Sequence, residues 1–329
     1  MGLISAFLIV MGLIIFAYIG SSISGLQPLF AVVFPYVALI IFIVGFVVRI
    51  IKWGKSPVPY RIPTTAGQQF SLPWIKQNKI DNPSTGWGVL LRMFFEVFMF
   101  RSLFRNAKSE MMSGKLYIGS NKWLWLGALT FHYSFLVILL RHLRFFVVKT
   151  PWCISMLASL DSFLQIGSPL LFMTDIFIAC AILYLLGRRI FNVQVRYVSL
   201  PSDYFPLFLI LGIITTGILM RYFVRVDIVN IKELALGLIY LNPSVPEGIE
   251  SIFYIHLFLV SVLFAYFSFS KLMHMGGVFL SPTRNLANNN RMKMHVNPLE
   301  YPVKHRHYEE YEEEFREKMK KAGIPVEKE

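Results

Sequence analysis

The chain has 329 residues, of which 55% are hydrophobic, 16% aromatic and only 16% charged. Its mean hydropathy of +0.56 is too high for an ordinary soluble domain of this length. The formal net charge is +13, but the sequence contains no nucleic-acid recognition motif, so the basic residues are better explained by membrane orientation and anionic lipid. The composition therefore predicts an integral membrane protein and argues against a nucleic-acid partner.

Six apolar segments are long enough to cross a bilayer, which requires about 20 residues of helix. They cover residues 3–20, 29–51, 121–147, 168–187, 204–224 and 251–273. The first segment lacks the basic start and the small-residue cleavage site of a signal peptide, so we expect it to be retained as a membrane helix. The sequence thus predicts an all-α membrane protein with about six transmembrane helices.

The distribution of lysine and arginine predicts how these helices are oriented. Residues 49–122 contain 12 basic and 3 acidic residues, and the positive-inside rule places such a loop on the cytoplasmic side. With six crossings, both termini also lie in the cytoplasm. We therefore expect a multi-pass protein of the cytoplasmic membrane.

The inner loop contains two kinds of sequence. Residues 53–84 are rich in proline, glycine and serine and should be irregular, whereas residues 87–110 mix aromatic side chains with arginine. The second pattern is typical of an amphipathic helix in the membrane interface, and its alternative use is to bind a partner subunit.

After the last crossing the chain becomes polar. The stretch YEEYEEEFREKMKKAG predicts a short helix that is acidic at its start and basic at its end. This tail is either a solvated extension or a docking arm for a cytoplasmic partner. We expect surface positions for its three histidines, His295, His305 and His307.

The other four histidines occupy two predicted membrane helices: His132 and His142 lie on the third, and His256 and His274 on the sixth. Ionisable side chains are costly in lipid and usually have a function there. A spacing of 10 residues corresponds to about 15 Å along a helix, and a spacing of 18 residues to about 27 Å on one face. The four imidazoles therefore form two layers at different depths.

If these two helices are antiparallel neighbours, His142 and His256 meet in an outer layer, and His132 and His274 meet in an inner layer. Two imidazoles that converge from facing helices can bind a haem iron axially, and a helix bundle commonly holds that cofactor. Because the chain has no CxxCH motif, such a haem would be of the non-covalent b type. The alternative is a haem-free anchor or proton-conducting subunit, in which the histidines form hydrogen bonds or a proton path.

Two arginines lie beside the outer layer. Arg141 and Arg144 suit the carboxylates of an outer haem, because such groups need cationic partners at the water interface. Ordinary snorkelling at the end of a membrane helix is the alternative. The isolated Cys153 and Cys180 do not form an iron–sulfur motif, so any such cluster would belong to a partner.

The 10- and 18-residue spacings on the first and last helices of a four-helix core resemble the nitrate reductase gamma-subunit family of dihaem b, quinol-oxidising membrane proteins. The stretches GWGVLLRMFFEVFMFRSLFRN and KWLWLGALTFHYSFLVILLRHLRFF are more similar to its DsrM-type members, which belong to a sulfite-reduction-associated electron-transfer complex. The resemblance covers residues 29–280. Residues 1–28 are then an extra N-terminal helix, and residues 281–329 are a cytoplasmic tail.

This resemblance implies two b haems, the outer one bound by His142 and His256 and the inner one by His132 and His274. It also implies that menaquinol is oxidised near the outer haem. Electrons would then pass through the inner haem to a cytoplasmic iron–sulfur partner that resembles the heterodisulfide reductase catalytic subunit. Further membrane and extracytoplasmic subunits would complete the complex.

The resemblance defines the position of the quinol site less closely than it defines the haem ligands. The extra helix and the long inner loop depart from the nitrate reductase pattern, so the quinone-site lysine of that family is not transferred. Five polar residues around the outer face are candidates for quinol contacts: Lys149, Asp161, Gln165, Lys232 and Glu233. The reverse flow, from the cytoplasm to quinone, stays open because it depends on haem potentials.

Overall fold

The computed structural model describes residues 2–56, 67–293 and 306–327 of the chain. Helices dominate these ranges, and the strands within them form a two-stranded antiparallel hairpin. A helix satisfies its own backbone hydrogen bonds, which is required of a lipid-facing segment, and the prediction of an all-α membrane protein is confirmed. The predictions for His295 and His305, and those for residues 57–66, fall outside the described residues.

The described residues of the first half of the chain form five α-helices and the hairpin. The helices are α1 (Gly2–Ser22), α2 (Phe34–Gly54), α3 (Gly86–Met99), α4 (Arg101–Phe104) and α5 (Lys122–His142). A π-helical turn, Leu29–Val33, leads into α2, and a 3₁₀ turn, Leu143–Phe145, extends α5. Strands β1 (Ala107–Met112) and β2 (Lys115–Ser120) lie between α4 and α5, and Ala107 pairs with Ser120.

The second half of the chain adds eight described helices. They are α6 (Trp152–Asp161), α7 (Met173–Phe191), α8 (Val193–Val198), α9 (Pro201–Ile218), α10 (Ile228–Ile239), α11 (Ser251–Phe267), α12 (His274–Leu280) and α13 (Tyr308–Lys321). A π-helical turn, Leu219–Val224, extends α9, and a 3₁₀ turn, Lys271–Met273, precedes α12. The predicted tail helix is confirmed as α13, with acidic residues in its first turn and lysines in its last.

Within the described residues, four helical segments are long and apolar enough to cross a bilayer alone. They are Gly2–Ser22, Leu29–Gly54, Lys122–Phe145 and Pro201–Val224. A fifth crossing results if α11 and its bent continuation form one span. Helix α7 occupies the remaining predicted segment, but it has an aspartate in its first turn and two arginines in its last. The protein is therefore a multi-pass membrane protein, and the count of six spans stays a prediction.

The sixth predicted segment is not one continuous helix. After α11 ends at Phe267, the chain bends by 71° before it becomes helical again. The Ser270 hydroxyl accepts a hydrogen bond from the backbone N–H of Leu272 at 3.1 Å and so caps a new turn. The prediction of an unbroken helix over residues 251–273 is wrong, and His274 is the first residue of α12.

The membrane helices pack in series: α5 packs on α7, α7 on α9, and α9 on α11. Helices α1 and α2 pack on α11, where Phe30, Leu209, Phe258 and Leu259 form a buried apolar core. Among the described residues, α5 and α11 do not form one of the close helix pairs. The helices that carry the histidines therefore stand at the two ends of a four-helix arc.

The inner loop differs from its prediction after residue 99. The predicted helix over residues 87–110 ends at Met99, because Phe100 adopts a left-handed backbone conformation with φ of 49°. The chain then forms α4 and the hairpin, which the sequence analysis did not predict. Residues 67–84 form turns, as predicted. Arg284, after α12, forms an ion pair with Glu96 of α3 and ties the start of the tail to this loop.

Candidate functional site

The inner histidine pair consists of His132 on α5 and His274 at the start of α12. Their ring centroids are 6.0 Å apart, and their planes cross at 83°. An imidazole nitrogen lies about 1 Å from its ring centre and binds a first-row metal at about 2 Å, so two rings on one metal ion lie about 6 Å apart. The observed separation fits two axial ligands of one iron. The bend after α11 places His274 in this position.

The hydrogen bonds of the histidines fix their tautomers. In three rings, Nδ1 lies near a backbone carbonyl of the preceding turn, at 2.7 Å in His132 and His142 and 2.9 Å in His274. A carbonyl only accepts, so Nδ1 carries the proton and Nε2 has an available lone pair. No described residue forms a hydrogen bond with Nε2 in these rings. This is the tautomer that a metal-binding histidine requires.

His256 on α11 obtains the same tautomer from α9. The Thr216 hydroxyl lies 2.8 Å from the carbonyl oxygen of Gly212 and 2.9 Å from Nδ1 of His256. When the hydroxyl donates its proton to that carbonyl, its oxygen accepts a hydrogen bond from Nδ1–H. Thr216 therefore orients His256 and leaves Nε2 for a ligand. The sequence analysis missed this residue, since a threonine on another helix has no spacing signal.

The outer pair consists of His142, the last residue of α5, and His256. His132, His142 and His274 are all exposed although they belong to apolar helices, so other side chains do not enclose their rings. The structure thus brings His132 and His274 together, and the pairing of His142 with His256 stays a prediction. The donor atoms of the four histidines and their placement on α5, α11 and α12 fit a b-type haem at each pair.

Phe100 contacts the inner pair at His132. Its ring centroid lies 4.9 Å from that of His132, with the planes at 87°. The indole N–H of Trp125 donates to the backbone carbonyl of Met99 at 2.7 Å and fastens the end of α3 to α5. The inner loop therefore packs directly on His132. No periodic pattern marks Phe100, because its position depends on a single left-handed residue.

Arg141 is paired with protein carboxylates rather than exposed to a ligand. Its Nε lies 3.1 Å from Oδ2 of Asp161, and its Nη2 donates to Oδ1 of Asp175 at 2.8 Å. Its side chain is only 8% exposed, and the guanidinium lies 3.6 Å from the centre of the Phe172 ring. The predicted role of Arg141 as a partner of a haem carboxylate is therefore revised. Arg141 joins α5, α6 and α7 through a buried charge network.

Arg144 has a different environment from Arg141. Its guanidinium lies 4.8 Å from the centre of the Phe145 ring. Its Nε is buried and has no hydrogen-bond partner among the described residues. Arg144 thus keeps the capacity to bind an anion next to the outer pair.

The five candidate quinol residues have different environments. Asp161 accepts hydrogen bonds from Thr174 and pairs with Arg141, so its carboxylate has a structural role. Lys232 on α10 donates to the Val148 carbonyl at 2.9 Å, and α10 packs on the turn that follows His142. The other three candidates are exposed: Lys149, Gln165 and Glu233. Asp161 contacts the last turn of α5 through Arg141, and Lys232 contacts the chain segment that follows α5.

Comparison with known proteins gives the family. Residues 87–290, which include all four histidines of the two pairs, match the family described as nitrate reductase gamma subunit. A protein of Archaeoglobus fulgidus is 45% identical over 279 residues, covering 82% of this chain and 83% of the relative. A protein of Archaeoglobus profundus is 41% identical over 271 residues, covering 80% of each. Both are named Hdr-like menaquinol oxidoreductase cytochrome b-like subunit. The chain therefore belongs to the nitrate reductase gamma-subunit family, within which it is a DsrM-like membrane cytochrome b subunit.

Proposed function

We propose that this chain carries electrons between menaquinol and a cytoplasmic iron–sulfur partner through two b haems, as the membrane subunit of a larger complex in sulfur metabolism. The observation that carries the proposal is the inner pair, whose ring centroids are 6.0 Å apart. The names of the two relatives support menaquinol as the substrate and a heterodisulfide reductase-like partner. Menaquinol oxidation, rather than menaquinone reduction, is the direction we propose.

The histidines have defined roles in this proposal. His142 and His256 would hold the iron of the outer haem, and His132 and His274 would hold that of the inner one. Each haem, when bound, supplies reversible one-electron transfer. Ten residues of α5 separate the two layers by about 15 Å of helix rise. Phe100 packs on His132 from the loop side, where the partner would receive electrons.

The outer end of the bundle is where we place quinol oxidation. Two protons leave with each oxidised quinol, so polar groups must lie near that site. Lys232 is the best placed of the candidates, because its ammonium group is fastened to the chain segment that follows α5. Lys149, Asp161, Gln165 and Glu233 stay proposed contacts on position alone.

The topology follows from the same proposal. The basic loop of residues 49–122 faces the cytoplasm, together with both termini. Residues 29–280 form the haem domain in the cytoplasmic membrane, residues 1–28 an additional membrane helix, and residues 281–329 a cytoplasmic tail. The partner and the inner pair then lie on the same side of the bilayer.

A pyridine haemochrome assay on the purified chain tests the proposed function. We expect close to two haems b per chain, and reduction of both on addition of a menaquinol analogue, as followed by optical spectroscopy. A colourless chain with close to no haem would contradict the proposal and support a haem-free anchor or proton-conducting subunit.

Thr216 provides a test of how the outer ligand is oriented. Replacing Thr216 with valine removes the acceptor of the His256 Nδ1–H, and we expect haem retention at the outer site to weaken by about 10-fold or more. Haem content after detergent washing measures this loss. Thr215→Val is the matched control, because the neighbouring Thr215 is exposed and does not contact His256 among the described interactions. Equal loss in the two variants would argue against an orienting role.

A further inference from the structure

Two arginines near the outer pair have no carboxylate partner among the described residues. They are Arg144, two residues after His142, and Arg221, in the π-helical turn that extends α9. The Nε atoms of both are buried and form no hydrogen bond to any described residue. Arg221 lies against the Phe172 ring, which also contacts Arg141, three residues before Arg144. The structure thus places both arginines at the same end of the bundle.

The neighbouring Arg141 has the carboxylate partners that Arg144 and Arg221 lack among the described residues. The Phe172 ring contacts both Arg141 and Arg221, with its centre 3.6 Å and 3.9 Å from the two guanidinium carbons. Arg141 is neutralised by two aspartates, whereas Arg221 donates to the Leu170 carbonyl at 2.9 Å and interacts with the neutral Tyr222 side chain. Partly buried cations without a counter-ion are costly, so an anion is expected beside Arg144 and Arg221.

The position of the two arginines indicates which anion they bind. Arg221 follows Thr216, the residue that orients His256, by five positions on the same helix, and Arg144 follows His142 by two. Arg221 therefore lies just beyond Thr216, which orients His256, and Arg144 lies just beyond His142. A guanidinium group binds a carboxylate through two parallel hydrogen bonds, and two of them on separate helices can hold one carboxylate from both sides.

We propose that Arg144 and Arg221 together bind a carboxylate of the outer haem, with Arg221 in the role that the sequence predicted for Arg141. The inference rests on the proposed function, since it requires a haem at the outer pair. A phosphate of a lipid headgroup offers the same oxyanion chemistry and is distinguished by the experiment. The site joins the end of α5 to the end of α9, across the outer end of the four-helix arc.

Redox titration of the purified full chain with its haems tests this site. We expect Arg221→Gln to lower the midpoint potential of one haem and leave the other unchanged, because the lost positive charge stabilised the reduced form. Arg144→Gln should lower the potential of the same haem. Arg221→Lys keeps the charge and should restore most of the potential. Optical haem content confirms that each variant is folded and loaded.

Arg225→Gln is the matched control. Arg225 lies four residues after Arg221 and donates to the Ser168 carbonyl at 3.0 Å, much as Arg221 donates to Leu170. Unchanged potentials in Arg221→Gln, or equal shifts in the Arg221 and Arg225 variants, would overturn the inference. Loss of bound phospholipid, measured as phosphorus per chain, with potentials unchanged would assign the site to lipid and also overturn it. Potentials that are unchanged in a chain with two haems leave the proposed function intact, whereas a wild-type chain without haem overturns both.

Discussion

Replacement of His132 by alanine should reduce the haem content of the purified chain from two to one and abolish electron transfer to the cytoplasmic partner. A b haem is not attached covalently through its porphyrin, so the loss of one of its two histidine ligands should greatly weaken haem binding. The outer pair lies about 15 Å further along α5 and should keep its haem. The haemochrome assay counts the haems, and a menaquinol analogue should still reduce the remaining one.

The partner of His132 gives the internal check of this prediction. His274→Ala should lose the same haem, as judged by the optical spectrum and the potential that remain, because the two rings share one site. His307→Ala is the control, since His307 precedes α13 in the tail and is exposed. If the His132 and His274 variants lose different haems, or if both keep two haems with the wild-type spectrum, the pairing is wrong.

The inner pair also shows what sequence spacing can predict. The layers were predicted from counts along two helices, and the structure brings His132 beside His274. The prediction of a continuous helix between His256 and His274 was wrong. The Ser270 hydroxyl accepts a hydrogen bond from the backbone N–H of Leu272 and starts a new helical turn, so the backbone hydrogen bonds of α11 do not continue. Such a cap forms when a serine hydroxyl competes with a backbone carbonyl for a backbone N–H group, and a hydropathy pattern contains no information about that competition. The pairing is nevertheless formed, since α12 starts at His274.

Contacts between distant segments were the part that sequence patterns could not provide. Thr216 reaches His256 from another helix, and Phe100 reaches His132 through a left-handed residue in a loop. Arg141 lies in the last turn of α5, and its partner Asp175 lies 34 positions further along the chain. Charge counting locates cations in a membrane segment, whereas only the packing of α5 on α7 shows which of them is already neutralised.

That neutralisation makes Arg141 the residue whose loss should damage the fold most. Arg141→Gln leaves the buried Asp161 and the partly buried Asp175 without their cation, and removing one member of a buried charge network costs about 3–5 kcal/mol. We expect a large fall in the melting temperature of the detergent-solubilised chain, together with poor haem incorporation. Thermal unfolding followed by circular dichroism measures the change.

Neutralising the carboxylates that Arg141→Gln leaves unpaired should restore much of the lost stability. In the triple variant Arg141→Met, Asp161→Asn, Asp175→Asn, the neutral amides can still bind Thr174 and Tyr222, which contact the two aspartates in the native chain. We expect this variant to be clearly more stable than Arg141→Gln alone, because the cost of the single substitution comes from unpaired charge rather than lost volume. If the single variant were as stable as the native chain, Arg141 would not be the centre of the network, and the reason for assigning the haem carboxylate to Arg144 and Arg221 would weaken with it.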